Sequence, residues 1–269
     1  QAKDLRVGDC LITPKLGLGK AVLSEEWARL IAWFICEGSV TGNSVELSLN
    51  PKNSEEQARV MSLIEGLGFA APWYKRKISV SSVTLADRLI SWCGNGALNK
   101  RVPFDIIAGH EQAFFDELML GDGCKVESVQ GGNRHAFTTI SQGLALDVQL
   151  LAASIGRRAG ITVRPAKYGV IQGRKVNQRE SYLIQIPLGR KMNHGKNRDA
   201  FPTKLGIAYR VRSVSAVVSE DVPVYNLSVK GDESYVAMGK AVNNCSFEAS
   251  VRGAIYAREL EQARAEGRI

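Results

Sequence analysis

The chain is 269 residues long, enough for one large domain or two modest ones with a real core, and its 45% hydrophobic and 23% charged content is that of an ordinary soluble globular protein. Thirty-five Lys and Arg against 27 Asp and Glu leave a net charge of +8, which favours polyanionic partners without identifying one. Five scattered cysteines with no C-x-x-C pair argue against a disulfide framework or zinc site and fit a reducing, cytoplasmic setting, while the longest apolar stretch, Trp27 to Cys36, carries Arg29 and is too short to span a bilayer.

Residues 1–14 alternate apolar and polar positions around Val7-Gly8-Asp9 and predict a β-hairpin edge, followed by a Gly-rich linker to Lys20. Ser24 is the expected cap of a helix running through WARLIAWFICEG and stopping at Gly38. A strand (Val45–Leu49), an amphipathic helix (Ser54–Leu67), strand-like AAPWYKRKISVSS and a helix (Leu85–Cys93) follow, then the turn-rich GNGALNKRVP. The order then repeats. A helix from Gln112 to Leu120 ends in Gly121-Asp122-Gly123, a polar hairpin region reaches Thr138–Ile140, a helix covers Ser141–Gly156, and strands run from Ile161 through Pro187.

The repeat, measured from Glu37 to Asp122, has a period of 85 residues and implies a duplicated α+β unit. Between Arg157 and Arg198 eleven basic residues face one acid, Glu180, and their interleaving with Tyr168 and Tyr182 suggests a basic β-surface. After Lys204 the chain is almost all β-alternation, and residues 246–269 form a charged helical zone.

Both repeats end a helix in a carboxylate followed by glycine: LIAWFICEG closes on Glu37 and FDELMLGDG on Asp122. A carboxylate at the negative end of a helix dipole is unfavourable unless a cation is held beside it. One such ending is ordinarily structural; two at matching places in a duplicated unit suggest acids brought together to bind Mg²⁺ (or Mn²⁺) and act on a phosphodiester.

These nonapeptides resemble the paired motifs of the LAGLIDADG, or DOD-type, homing endonucleases, the second closely and the first with Glu37 as its acid. The resemblance implies a monomeric, pseudo-two-fold α+β fold of two αββαββα-like halves, about 21–110 and 111–205. It also implies double-stranded DNA as partner and Glu37 and Asp122 as catalytic metal ligands. Asn99-Lys100-Arg101-Val102-Pro103 resembles the family's segment before the second motif, which makes Lys100 the candidate for charge stabilisation or water activation. Lys75, Arg76, Lys77, Arg164, Lys167, Arg174 and Lys175 are the expected DNA contacts as a set, with ordinary solvated charge as the competing explanation for each.

VYNLSVKGDESYVAMGKAVNNC resembles the closing sequence blocks of inteins, and QAKDLRVGDCLITPK the strands before an inserted endonuclease. The expected organisation is therefore 1–20 as a remnant of the splicing domain's first strands, 21–205 as the endonuclease, and 206–244 as the all-β C-terminal part of a Hint/intein splicing domain. Residues 245–269 would be a host flank resembling a phage terminase large subunit. The resemblance implies that the Asn244 side chain attacks its own carbonyl and that Cys245 is the branching nucleophile. The family's penultimate His is here Asn243, which cannot act as a general acid, and its usual Asp and His are replaced by Asn226 and Glu233. The N-terminal splicing segment is expected as a missing partner. The alternative is a splicing element carrying a degenerate, DNA-binding-only endonuclease.

Overall fold

The computed structural model describes residues 5–17, 19–74, 76–127, 133–171, 173–188, 199–215 and 234–243. The chain divides into two units, residues 12–209 and residues 1–11 with 210–269. These boundaries differ from the expected breaks after residues 20 and 205.

In the larger unit strand β1 (Cys10–Pro14) is followed by helix α1 (Glu25–Glu37), β2 (Gly38–Thr41), β3 (Ser44–Leu47), α2 (Ser54–Gly66), β4 (Trp73–Tyr74), β5 (Lys77–Ser81), α3 (Val83–Cys93) and α4 (Phe104–Ile107). The second series is α5 (Glu111–Gly121), β6 (Gly123–Val126), β7 (Arg134–Thr139), α6 (Gln142–Ser154), β8 (Gly160–Arg164), β9 (Lys167–Ile171), β10 (Arg174–Gln178) and β11 (Ser181–Pro187). Strands β12 (Ala200–Pro202) and β13 (Gly206–Arg210) close the series, and β14 (Ser234–Ala237) with β15 (Lys240–Asn243) form a hairpin in the smaller unit.

The duplication extends to sheet topology. The first antiparallel sheet has the order β2-β3-β5-β4 and the second β6-β7-β11-β8, so each strand of one has a counterpart in the other. In both, the strand directly after the acid-ended helix is an edge, and the next helix starts from a side-chain cap. Asn53 accepts the Glu56 N–H at 3.1 Å for α2, and Ser141 accepts the Leu144 N–H at 3.1 Å for α6. The two sheets each bury one face: Val45, Leu47, Ile78 and Val80 alternate in the first, and Phe137, Ile184 and Ile186 line the second, where Ala136 beside Phe137 is buried as well. Trp33 and Phe34 of α1 and Phe114, Phe115 and Leu118 of α5 join them in one continuous core. Burial of large side chains, each worth roughly 1.5–3 kcal/mol, is what binds the two halves together.

Several expectations need correction. Residues 10–14 do not pair back on the start of a local hairpin among the described residues; β1 lies beside β13 in a sheet of order β1-β13-β12. The turn at Arg6–Asp9 is present, with the Asp9 N–H donating to the Arg6 carbonyl at 3.1 Å. Tyr182 is not part of a basic surface: it packs against the core, and its hydroxyl donates to Glu180 Oε1 at 2.6 Å. Tyr168 is the surface aromatic, 87% exposed. Of the expected all-β splicing region, residues 216–233 lie outside the described residues, as does the 245–269 flank.

Candidate active site at the paired helix ends

Helix α1 ends on Glu37 and β2 starts at the next residue; Asp122 caps α5 and β6 starts at Gly123. This direct passage from helix to strand is why glycine follows each acid. A Cβ on Gly38 would lie 2.3 Å from Phe34 Cδ2, and one on Gly123 would lie 2.4 Å from the Met119 carbonyl oxygen. Contact, and not backbone torsion, makes the requirement at Gly38, whose φ is −91°.

The two helix ends are also forced together. A Cβ on Gly121 would sit 2.8 Å from Cys36 Sγ, and that thiol donates to the Leu118 carbonyl at 3.6 Å. The neighbouring acids therefore feel each other. Burial and the negative charge of Asp122, with a smaller contribution from Glu56, push Glu37 up to about 7. Burial likewise raises Asp122 above the usual carboxylate range. No ion pair among the described residues neutralises either group.

A carboxyl whose folded pKa exceeds its unfolded value of 4.5 binds more protons when folded, so stability falls as pH rises from about 4.5 through about 7. Thermal unfolding at pH 5 and pH 8 should show that loss. Added Mg²⁺ should reverse it at pH 8 and Glu37→Gln should flatten it; equal pH dependence in the parent and Glu37→Gln would remove the basis for a strained acid pair.

Lys100 is not a surface-turn residue. It is 3% exposed, its Nζ donates to the Phe34 carbonyl at 2.7 Å, and the ammonium lies over the Phe34 ring. Burial lowers it to about 8, with Cys93 and Cys36 acting in the opposite direction. The Phe34 carbonyl also accepts the Gly38 N–H, so Lys100 is tied to the last turn of α1, the turn that ends on Glu37, and its ammonium donates to the Phe34 carbonyl and not to either acid.

The basic residues fall into two groups. Arg76 and Lys77 line a concavity of about 540 Å³ with Ser48 and Leu49. Arg164 and Lys167 line one of about 780 Å³ with Arg179, Gln178 and Ser181. The two are counterparts: each lies between the residue after the second strand (Ser48, Ile140) and the far end of the hairpin that completes its sheet. Lys77 is paired with Glu46, so it is less available than its position suggested. Lys175 is exposed; Arg174 lies in β10, where its side chain is not described, and Lys75 is outside the described residues. Asn243 ends β15, and Asn244 and Cys245 are outside the described residues.

Sequence reasoning missed Glu117. This α5 carboxylate is 1% exposed and accepts from Arg29 Nη1 at 2.6 Å and Trp33 Nε1 at 2.9 Å on α1, and from Arg59 on α2. Its available signal was a charge set inside an apolar run in both repeats, Arg29 in one and Glu117 in the other. Also missed was Asp147, which receives a bidentate Arg101 at 2.6 and 2.9 Å and the Val102 N–H at 2.9 Å, fastening the segment between the halves to α6.

No family model matches the sequence. The chain is 31% identical over 264 residues to an iron-sulfur cluster assembly SufBD family protein of Mycobacterium tuberculosis, covering 91% of this chain and 30% of that protein. It is 28% identical over 248 residues to the ATP-dependent DNA helicase Hel308 of Thermococcus kodakarensis, covering 82% of this chain and 22% of the helicase. The chain thus spans less than a third of the length of these relatives. Among solved structures, mesophilic variants of the homing endonuclease I-DmoI align with 61% of this chain and 89% of theirs, at 17% identity and a TM-score of 0.40. I-DmoI with DNA and Ca aligns over 61% and 83%, at 16% identity and a TM-score of 0.39. No helix among the described residues is long and apolar enough to cross a membrane.

Proposed function

We propose that the larger unit is a site-specific, divalent-metal-dependent double-strand DNA endonuclease of the LAGLIDADG kind, carried within an intein. The observation that bears most weight is the pair of partly buried carboxyl groups, Glu37 and Asp122, contributed by equivalent helix ends of a duplicated unit, with the charge of Asp122 adding to the rise at Glu37. A second observation supports insertion: the chain matches minor portions of two proteins whose names describe unrelated work, as a segment lodged in different hosts would.

The donor set fits Mg²⁺ or Mn²⁺. Among the described residues no cluster of three or more His, Cys, Asp or Glu groups could hold a metal, which disfavours a closed protein cage and suits an ion that keeps waters and phosphate oxygens beside one or two carboxylates. Such an ion would supply Lewis acidity at the scissile phosphate. Glu37 and Asp122 would hold it, and their repulsion keeps the site open to positive charge. Lys100, with a pKa of about 8, gains and loses a proton near neutrality at the end of α1 and supplies compensating charge. Arg76 in the first half and Arg164 and Lys167 in the second position the duplex through its phosphates. Residues 206–244 complete a splicing domain in which Asn244 cyclises and Cys245 accepts the upstream flank, slowly because Asn243 cannot donate a proton.

Incubating the chain and Mg²⁺ with a plasmid library carrying a randomised insert, then sequencing the linear products, tests the nuclease. Cuts at one recurrent sequence support it; absence of any cut with Mg²⁺ or Mn²⁺ favours the degenerate, binding-only alternative. Mass spectrometry after incubation with an added N-terminal intein segment tests splicing, through release of the 245–269 peptide.

A further inference from the structure

A second cluster of positive charge lies on the opposite side of the second sheet from Arg164 and Ser181. Lys125 faces His135 between β6 and β7, and His135 faces Ile186 between β7 and β11. By alternation these side chains share the face of Phe137 and Ile184, which packs on the helices, whereas Arg164 and Ser181 project from the other. His135 and Arg157 meet one ring there. The imidazole stands at 90° to Phe115 of α5 with centroids 6.5 Å apart, and the Arg157 guanidinium carbon lies 5.1 Å from the Phe115 centroid. Strands β6 and β7 and the turn after α6 thus bring an ammonium, an imidazole and a guanidinium together around one aromatic side chain.

The cluster lacks a counter-charge. Among the described residues neither Lys125 nor Arg157 has an ion-pair partner. The one carboxylate that acts on His135 is Asp116, and it already accepts from Gln112 Nε2 at 2.8 Å. His135 Nδ1 is buried with nothing to bond to, so the neutral ring carries its proton on Nε2, which is neither buried nor bonded within the protein. Burial, Arg157 and Lys125 hold this imidazole below its usual value of 6.5, against the opposing effect of Asp116.

We infer that Lys125, His135 and Arg157 form a binding site for a tetrahedral oxyanion of the phosphate class, separate from the surface proposed to meet duplex DNA. Lys125 supplies a point charge, Arg157 supplies paired N–H donors on a guanidinium stacked against Phe115, and His135 supplies its Nε2–H. A bound anion would join the β6–β7 hairpin to α5 and to the turn that follows α6. None of these groups takes part in the proposed nuclease chemistry, so the site stands or falls apart from it.

NMR of the full chain, following the His135 ring nitrogens and Arg157 Nε, tests this with sulfate, whose charge is constant from about pH 5.5 to about pH 8, the range in which a histidine titrates. At ionic strength held with chloride, sulfate should shift these signals saturably, with a Kd of about 1 mM or tighter. It should also raise the midpoint of the His135 titration, because a bound anion favours the charged ring. Affinity should therefore increase as pH falls across that range, and His135→Gln should abolish the pH dependence. Lys125→Ala with Arg157→Gln should weaken binding at least tenfold, with an unchanged circular dichroism spectrum. Lys125→Glu, at an exposed position that leaves the Phe115 contacts in place, should do the same. Inorganic phosphate and adenosine monophosphate, titrated side by side, distinguish a free ion from a phosphorylated molecule: tighter binding of the monophosphate assigns the site to the latter, and equal affinity assigns it to the ion. Shifts that chloride reproduces, or sulfate shifts that persist in Lys125→Glu, overturn the site.

Discussion

If the proposed nuclease reading holds, Glu37→Gln or Asp122→Asn should lower Mg²⁺-dependent cleavage by at least about 10²-fold, since losing even an outer partner of a metal ligand typically costs 10–100-fold in affinity or activity. DNA affinity should stay within a few-fold of the parent, because the groups expected to meet the phosphates lie on the sheet hairpins and not on the helix ends. The physical reason for the asymmetry between binding and cutting is the placement of the two acids. Burial raises both above their ordinary values, and the negative charge of Asp122 adds to the rise at Glu37, so ionisation of both is disfavoured until a cation arrives. Removing one charge relieves the repulsion and would leave a single carboxylate to hold the ion. Single-turnover cleavage and gel-shift affinity, measured on the same preparations, separate the effects. Parallel loss of binding and cutting would point to misfolding or to a role for the acids in the fold alone.

The second large effect concerns the fold. Arg29→Ala with Arg59→Ala should destabilise the protein by about 3–5 kcal/mol, the range for stranding a buried charge. Glu117 is almost fully buried, whereas its two guanidinium partners keep part of their surface in water. The carboxylate, not the arginines, is therefore the group left without compensation. Trp33 Nε1 alone, a neutral donor at 2.9 Å, cannot replace two cations. Either single substitution costs less, because the other arginine remains.

The pH dependence follows from the same geometry. Burial opposes ionisation of Glu117, but the hydrogen bonds from Arg59 and Arg29 outweigh it and hold its carboxyl below the usual value of 4.5. A depressed folded pKa contributes stability that is fully present above 4.5 and is lost as pH falls through the folded value. Urea unfolding at pH 7 and pH 3 should show this loss in the parent and much less of it in Glu117→Gln. An Arg29/Arg59 double variant within about 0.5 kcal/mol of the parent at pH 7 would contradict the clamp.

The duplication could be read from the sequence because its markers are local. An acid-glycine ending recurs after 85 residues, and the glycine is dictated by a clash within four residues of itself, at Phe34 or Met119. Cap residues such as Ser141 and stops such as Gly68, with φ at +85°, are equally local.

What the sequence hid is non-local. Glu117 finds Arg29 and Arg59 across 88 and 58 residues, and nothing in either neighbourhood names the other. Asn95 uses its side-chain amide as a surrogate strand, accepting the Val40 N–H and donating to its carbonyl at 3.1 Å each, on the open edge of the first sheet. A turn-rich GNGALNK gives no hint of that pairing. Alternation in residues 10–14 specifies a strand but not its neighbour, and β13, beside which β1 lies, is nearly 200 residues on in the chain. Nothing in the sequence around Lys100 specifies its burial against the Phe34 ring and carbonyl, which lie 66 residues away in the chain.

The central claim is that two carboxyl groups from the two repeats share one cation. Titrating Mn²⁺ into the parent, Glu37→Gln and Asp122→Asn chains, and following water-proton relaxation, tests it most directly. Each single substitution should weaken the tightest class of Mn²⁺ binding at least tenfold, by a similar amount. Unchanged Mn²⁺ affinity in both variants would contradict the shared site.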